Sequence, residues 1–208
     1  MPKVIAFHMI LTAYGMWLPN DPRGSRSTTI RCRWLREHGH ATTVTATRSH
    51  AADHHNGATR LAAKDSLRHP AVNFTGTQAR AIANGLHDAV DEATYEIWAL
   101  SIMPDHVHIL LAAHPKPVEQ IAAHLKSKAT RKLNDLGLHP LAGRGTNGRS
   151  PSPWARNYWC PFVRDARHLR AVRRYVELNP VKAGLKEQRW RMIHPLPEQY
   201  AAKPRRIM

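Results

Sequence analysis

The chain has 208 residues, 42% of them hydrophobic, with 31 lysines and arginines against 15 acidic residues. Its formal net charge of +16, before any of the 15 histidines gains a proton, favours a polyanionic partner, of which nucleic acid is the commonest. No stretch approaches the roughly 20 apolar residues of a membrane-spanning helix, and Cys32 and Cys160, with no CxxC, give neither a disulfide framework nor a thiolate zinc site. The length suits one core with insertions. The first residues, Met1 to Phe7, lack the long apolar run and cleavage site of a signal peptide, so a cytoplasmic location is expected.

Val4 to Thr12 (VIAFHMILT) is apolar and β-prone and reads as a first, central strand. Tyr14 to Ser25, dense in Gly, Pro and Asn, reads as a structured loop anchored by Trp17 and Leu18. From about 26 to 70 periodicity fades, which predicts an insertion of low order with short helices around Arg31 to Glu37 and Thr59 to Ser66. Its histidines, His38, His40, His50, His54 and His55, have no regular element to fix them and read as solvated loop rather than a metal cluster.

Helical spacing of Ala79, Ile82, Ala83, Leu86, Ala89 and Val90 predicts a helix from about Thr77 to Ala93, starting near Thr75 or Gly76. Tyr95 to Ile102 alternates as a strand, and Met103-Pro104-Asp105 turns it into a second strand, giving a hairpin. Beyond Pro115 and Pro117 a helix is predicted from Val118 to about Leu136, with Ile121, Leu125, Ala129, Leu133 and Leu136 as its buried stripe. Lys126, Lys128, Arg131 and Lys132 lie outside that stripe, either as a solvated charged face or as a surface tracking phosphates. Gly137 ends the helix, and 138–153 reads as a flexible linker. Trp154 to Arg164 is aromatic-rich and reads as a strand and core lid, with base stacking as the alternative. A last helix, Ala166 to Leu178, has Leu169, Val172 and Val176 on its apolar face, with Arg167, Arg170, Arg173 and Arg174 elsewhere on it. The remainder, 186–208, reads as a basic, extended tail.

Two pairs of residues carry candidate chemistry. Along Met103 to Ala112 side chains alternate, so His106 and His108 share one strand face while Val107, Ile109 and Leu111 take the other. Two imidazoles so placed can share one cation; the alternative is an ordinary polar strand face. Asp105 points to the other face and reads as a turn former outside the site, with a hydrogen bond to one of the histidines around the turn as the alternative. Tyr175 and Asn179 lie one helical turn apart, and Pro180 disfavours the α conformation at Asn179, which puts that amide at a helix end or kink. A phenol attacks phosphorus only if its charge is stabilised or a base removes its proton. A cation held by His106, His108 and Asn179 supplies such stabilisation at a scissile phosphate. The bland reading makes Tyr175 a boundary aromatic and Asn179 a helix terminator.

Together these stretches resemble a known family. Pro104-Asp105-His106-Val107-His108-Ile109-Leu110-Leu111 matches the His-hydrophobic-His (HUH) strand of the single-tyrosine transposases. Arg174-Tyr175-Val176-Glu177-Leu178-Asn179-Pro180-Val181-Lys182-Ala183-Gly184-Leu185 is similar to the catalytic helix of their REP-associated branch. Tyr14 to Gly24 resembles their N-terminal loop, and Trp159 to Asp165 the segment ahead of that helix. The 26–70 segment and the linker have no counterpart in the pattern. The resemblance implies an α+β fold with a ferredoxin-like βαββαβ core and antiparallel sheet, forming one domain over 1–185. It implies a DNA transposase that cleaves and rejoins single-stranded DNA, through a 5′-phosphotyrosine on Tyr175, at hairpin-bearing repeats. The implied metal ligands are His106, His108 and Asn179, and the implied ion is Mg²⁺ or Mn²⁺, of which the imidazoles suit Mn²⁺ better. Lys126, Lys128, Arg131, Lys132, Arg170, Arg173 and Arg174 are then the candidate DNA contacts. A monomer and a homodimer are both compatible, and no membrane partner is expected. The alternatives are a transposase-derived DNA-binding protein without catalysis and a replication or mobilisation nickase of the HUH class.

Overall fold

A computed structural model describes residues 3–22, 29–30, 32–41 and 54–201. The Val4 to Thr12 run forms strand β1 (Ala6–Ala13), buried at every position, as an apolar central strand must be. Short elements follow, a 3₁₀ helix at Arg33–His38 and helix α1 (Gly57–Asp65), whose first turn is capped by the Asn56 side chain accepting the Thr59 N–H at 3.0 Å. Both lie inside the stretch expected to have low order. His50 and the remainder of 42–53 lie outside the described residues.

Helix α2 (Gly76–Ala93) opens on a reciprocal cap. The Thr75 hydroxyl accepts the Gln78 N–H at 3.2 Å and the Gln78 amide accepts the Thr75 N–H at 2.9 Å. Strands β2 (Ile97–Ile102) and β3 (His106–Ala112) form the expected antiparallel hairpin, with Ser101 opposite His108 and Ile102 opposite Val107. Helix α3 (Val118–Asp135) buries Ile121, Ala122, Leu125, Ala129 and Leu133. Leu136 does not complete the stripe. It is the residue at which the helix ends, one before the positive-φ Gly137, and is 53% exposed.

Helices α2 and α3 pack on one another through Gly85. A Cβ there would stand 2.5 Å from the Lys128 carbonyl oxygen and 2.7 Å from the Ala129 Cα, both backbone atoms that cannot step aside. Alanine in place of glycine gains about 1 kcal/mol of helix propensity. Overpacking costs about 1–3 kcal/mol, and more for a branched side chain. Gly85→Val should therefore lower the urea midpoint by the equivalent of at least about 2 kcal/mol, while Gly76→Ala, where a Cβ meets nothing within 4 Å, should not lower it.

The Trp154 to Arg164 segment supplies strands β4 (Trp154–Trp159) and β5 (Phe162–Val163). The five-stranded sheet has the order β2-β3-β1-β4, and β5 pairs antiparallel with β1 through Ala6 opposite Val163. The architecture is α+β. Helix α4 (Ala166–Lys182), capped by the Asp165 side chain accepting the His168 N–H at 2.8 Å, covers one sheet face. Leu169, Val172 and Val176 there bury Ala6, Trp98, Ala99, Leu110 and Val163.

Two expectations for the C-terminal third need correction. Helix α4 does not stop at Leu178; it runs through Pro180 to Lys182. The helix then closes on a double hydrogen bond, from the Leu185 N–H to the Pro180 carbonyl (2.9 Å) and from the Gly184 N–H to the Val181 carbonyl (3.0 Å), with Gly184 at φ +75°. The segment beyond is not a loose tail over its described length. Gln188 exchanges two 2.8 Å bonds with the Ile102 backbone, the His194 N–H donates to the Ile97 carbonyl at 2.8 Å, and Met192 is buried. Lys203 to Arg206 lie outside the described residues.

The described residues fall into two compact units. One comprises Met1–Leu11, Phe74–His139 and Asn157–Met208, and the other Thr12–Asn73 and Pro140–Arg156. In the second unit, where a flexible linker is expected, Leu141 is 2% exposed. Among the described residues no helix is long and apolar enough to cross a membrane.

Candidate active site

Alternation along β3 places His106 and His108 on the same face as Leu110, and Leu110 belongs to the layer covered by α4. The two imidazoles meet Nε2 to Nε2 at 2.9 Å. A metal–imidazole bond of about 2.0–2.1 Å with ligands at a right angle separates two nitrogens by about 2.9 Å, so the pair already has a chelating spacing. The Asp105 carboxylate accepts a hydrogen bond from His106 Nδ1 at 2.7 Å, which fixes the ring with its Nε2 turned toward His108. Asp105 therefore belongs with the site, through the hydrogen bond that the sequence offered only as the alternative to a turn former. At the mouth of a turn, strand alternation does not dictate where a short carboxylate reaches.

His108, 3% exposed, is held on its other nitrogen by a residue that the sequence does not single out. His8 on β1 brings its Nε2 to 3.1 Å from His108 Nδ1, with the two rings stacked at 5.2 Å. Burial, with a smaller contribution from His168, pushes His8 down to about 4, and burial, reinforced by His106 and His8, holds His108 well below the ordinary histidine range. Both rings are therefore neutral at physiological pH. The available signal for His8 was a lone polar residue in a run otherwise apolar from Val4 to Leu11, two residues from Ala6 and hence on the α4 side.

Tyr175 projects from α4 onto this pair. Its ring stands edge-on to His108 at 5.3 Å and to His8 at 6.0 Å, while 45% of the residue stays exposed. Partial burial raises its phenol above the ordinary value near 10. Asn179 follows one turn later, half-buried, and its backbone carbonyl accepts the Ala183 N–H at 3.1 Å. The fold thus gathers His106, His108 and Tyr175, with Asn179 on the adjoining turn of the tyrosine helix. Among the described residues no three or more His, Cys, Asp or Glu side chains gather as a metal-binding group. A cation on the imidazole pair would need oxygen donors of another kind, such as the Asn179 amide, water or a phosphate oxygen. That donor set fits a divalent ion of the Mn²⁺ type.

Most of the basic side chains proposed to meet DNA are engaged within the protein. Lys128 pairs with Glu92 and Lys132 with Asp88 (2.9 Å), which ties α3 to α2. Arg173 pairs with Glu177 at 2.7 Å, and Arg170 donates to the Tyr200 carbonyl at 3.0 Å. Arg131 and Arg174 are exposed. Lys126 donates to the Asn157 carbonyl at 2.9 Å, and burial pushes its ammonium down to about 8. Between that value and about 10.4 the unfolded chain binds more protons than the folded one, so Lys126 makes stability rise with pH in that window and adds no slope below it. Relative to Lys126→Met, the wild-type urea midpoint should climb from about pH 8 to about pH 10. A constant offset between the two proteins would show that burial does not perturb this ammonium.

The family model for IS200-like transposases matches residues 67–179, more than half of the chain. A Haemophilus influenzae protein provisionally named a REP-associated tyrosine transposase is 33% identical over 101 residues, 45% of this chain. The chain matches 53% of that relative's length, about half. Among solved structures, a REP-associated tyrosine transposase bound to a REP hairpin gives a TM-score of 0.46 at 12% identity, over 89% of this chain and 73% of that one. A Deinococcus radiodurans protein, provisionally a transposase, gives 0.43 at 18% identity, over 84% of this chain and 90% of that one. Neither structural likeness is close enough to carry an argument about this chain.

Proposed function

The chain belongs to the IS200-like transposase family, and on that premise we propose that it cleaves and rejoins single-stranded DNA with Tyr175 as the nucleophile. The observation that supports this most directly is the Tyr175 ring, packed edge-on to His108 at 5.3 Å yet 45% exposed. A side chain so held is rigid and still open to a strand of DNA. The Tyr175 hydroxyl attacks a phosphodiester phosphorus, the P–O3′ bond breaks, and the 3′-oxygen leaves with a proton, matching the proton lost by the phenol. The product is a 5′-phosphotyrosine. Attack by a 3′-OH reverses the exchange and releases the tyrosine, so the phosphodiester energy is retained and no nucleotide cofactor enters.

A divalent ion, when bound, polarises the phosphate and offsets the charge that develops in the transition state. His106 and His108 would hold it through their Nε2 atoms, with the Asn179 amide as a third donor. Asp105 holds the His106 ring with its Nε2 toward His108. The imidazole pair favours Mn²⁺ over Mg²⁺. The raised phenol of Tyr175 makes such assistance necessary, because little phenolate exists near neutral pH without it. Exposed Arg131 and Arg174 are the leading backbone contacts, their charge adding to the +16 field that draws the strand in. The name of the Haemophilus influenzae relative, a REP-associated tyrosine transposase, supports a substrate of the REP type.

The test is incubation of labelled single-stranded oligonucleotides, taken from palindromic DNA flanking the gene, with protein and Mn²⁺, resolved on a denaturing gel. A protein–DNA adduct that maps to Tyr175 is expected. Binding with no adduct at any Mn²⁺ or Mg²⁺ concentration would make this a DNA-binding protein without catalysis.

A further inference from the structure

A groove of about 790 Å³ opens along the β2 edge of the sheet, between the first turns of α2 and the segment that follows α4. Its floor is apolar, with Phe74 5% and Ile102 2% exposed. Its walls are basic. Arg80 comes from α2, and Lys186, Arg189 and Arg191 from the segment opposite, against a single carboxylate, Glu187. Glu187 pairs with Arg189 at 3.3 Å. Arg80, Lys186 and Arg191 are exposed and have no ion-pair partner among the described residues, whereas Lys128, Lys132, Arg170 and Arg173 are engaged within the protein. The two 2.8 Å bonds between Gln188 and the Ile102 backbone, with Met192 buried beyond them, fix this wall to the sheet, so the cations stand on a rigid support.

Free cations around a recess call for a polyanion, and half-buried Trp190 on the same wall selects its form. A duplex hides the faces of its bases in the stack. An unpaired strand presents phosphates to arginine and lysine and bare base faces to an indole. The groove also adjoins the candidate active site through the chain itself. Pro104 lines it and is two residues from His106, a span of at most about 7 Å. Leu185 lines it three residues beyond the end of α4. We infer that the groove seats the unpaired DNA beside the scissile phosphate, with its backbone along Arg80, Lys186 and Arg191 and a base against Trp190. This rests on reading the chain as an enzyme of single-stranded DNA. A strand held there is fixed in register as it crosses Tyr175, so the groove takes part in choosing which phosphodiester is cut.

The test is binding, without metal, of two labelled oligonucleotides to protein carrying Tyr175→Phe: the palindrome with unpaired bases beside it, and the same palindrome without them. Adding Arg80→Gln and Arg191→Gln together, both at exposed positions, should weaken the first by about ten-fold or more, flatten its log-affinity against log-salt slope by about 1.4, as expected for two lost single-strand phosphate contacts, and leave the second within about two-fold. Trp190→Leu should cost the first on the order of ten- to a hundred-fold, and Trp190→Phe, which keeps a stacking ring, only a few-fold. 5-Iodouracil among the unpaired bases should crosslink to Trp190 under ultraviolet light, read by peptide mass spectrometry. Equal losses on both oligonucleotides would reduce the arginines to a general field, and crosslinks confined to residues outside the groove would seat the strand elsewhere; either result overturns the inference. Should Trp190→Leu unfold, the arginine pair and the crosslink decide the matter. If wild-type protein forms the Tyr175 adduct while the groove variants bind the unpaired bases normally, only this inference falls. If the variants lose those bases as expected and no adduct forms with Mn²⁺, the nucleophilic reading falls and the groove stands.

Discussion

Tyr175→Phe protein is expected to form no covalent adduct with single-stranded DNA, even at saturating Mn²⁺ and long incubation, while melting as wild type does and binding the same oligonucleotide within about two-fold. The structure makes this a clean substitution. The ring's edge contacts with His108 and His8 use carbon atoms that phenylalanine keeps. The residue is 45% exposed, and replacements at sites so open to water change stability by about 0.5 kcal/mol or less. Only the attacking oxygen is lost, and nucleophilic catalysis has no partial substitute for the atom that forms the bond. Denaturing gels and intact-mass spectrometry of the DNA-treated protein read the outcome directly. An adduct persisting at the wild-type level in the Phe variant would move the nucleophile to another residue.

The parts of this site that could be read from the sequence are those governed by local periodicity. Alternation of two placed His106 and His108 on one face of β3, and a spacing of four placed Tyr175 and Asn179 on adjoining turns of α4, as the structure has them. The apolar stripes of α2 and α3 were legible for the same reason, and Leu136 failed because the chain turns at Gly137 before the stripe is complete. What the sequence hid depends on which elements lie side by side. His8 is 100 residues from His108, and only the adjacency of β1 and β3 makes them partners. Lys128 and Lys132 looked like a free basic face because Glu92 and Asp88 lie on another helix. Pro180 misled for a different reason. Its ring forfeits one hydrogen bond of α4, but only two residues from the end, where the closing bonds from Gly184 and Leu185 hold the last turn together. The sequence Asn-Pro-Val-Lys-Ala-Gly-Leu thus keeps Asn179 in regular helix, one turn from the tyrosine, instead of releasing it at a frayed end.

Removing either imidazole of the pair should abolish Mn²⁺-dependent cleavage, but the two losses should differ in what they do to the fold. A Lewis-acidic ion supplies several kcal/mol of transition-state stabilisation, and at 1.36 kcal/mol per decade this is about two to four orders of magnitude in rate. His106→Ala and His108→Ala should both lose that much and bind Mn²⁺ too weakly to detect by calorimetry, since one imidazole retains no chelate. His106 is 17% exposed at its side chain, lies at the start of β3, and gives up the Asp105 carboxylate and the 2.9 Å contact with His108 Nε2, both of which water can replace at a site open to solvent. Its alanine variant should melt within a few degrees of wild type. His108 is 3% exposed, is packed between His8 and Tyr175, and is bonded through both ring nitrogens. Its alanine variant opens a cavity and strands the His8 ring, a combination that should cost about 2–4 kcal/mol in urea unfolding. Equal stability of the two variants would mean that His108 is not held as the structure has it, and retained Mn²⁺ cleavage in either would remove the imidazole pair from the chemistry.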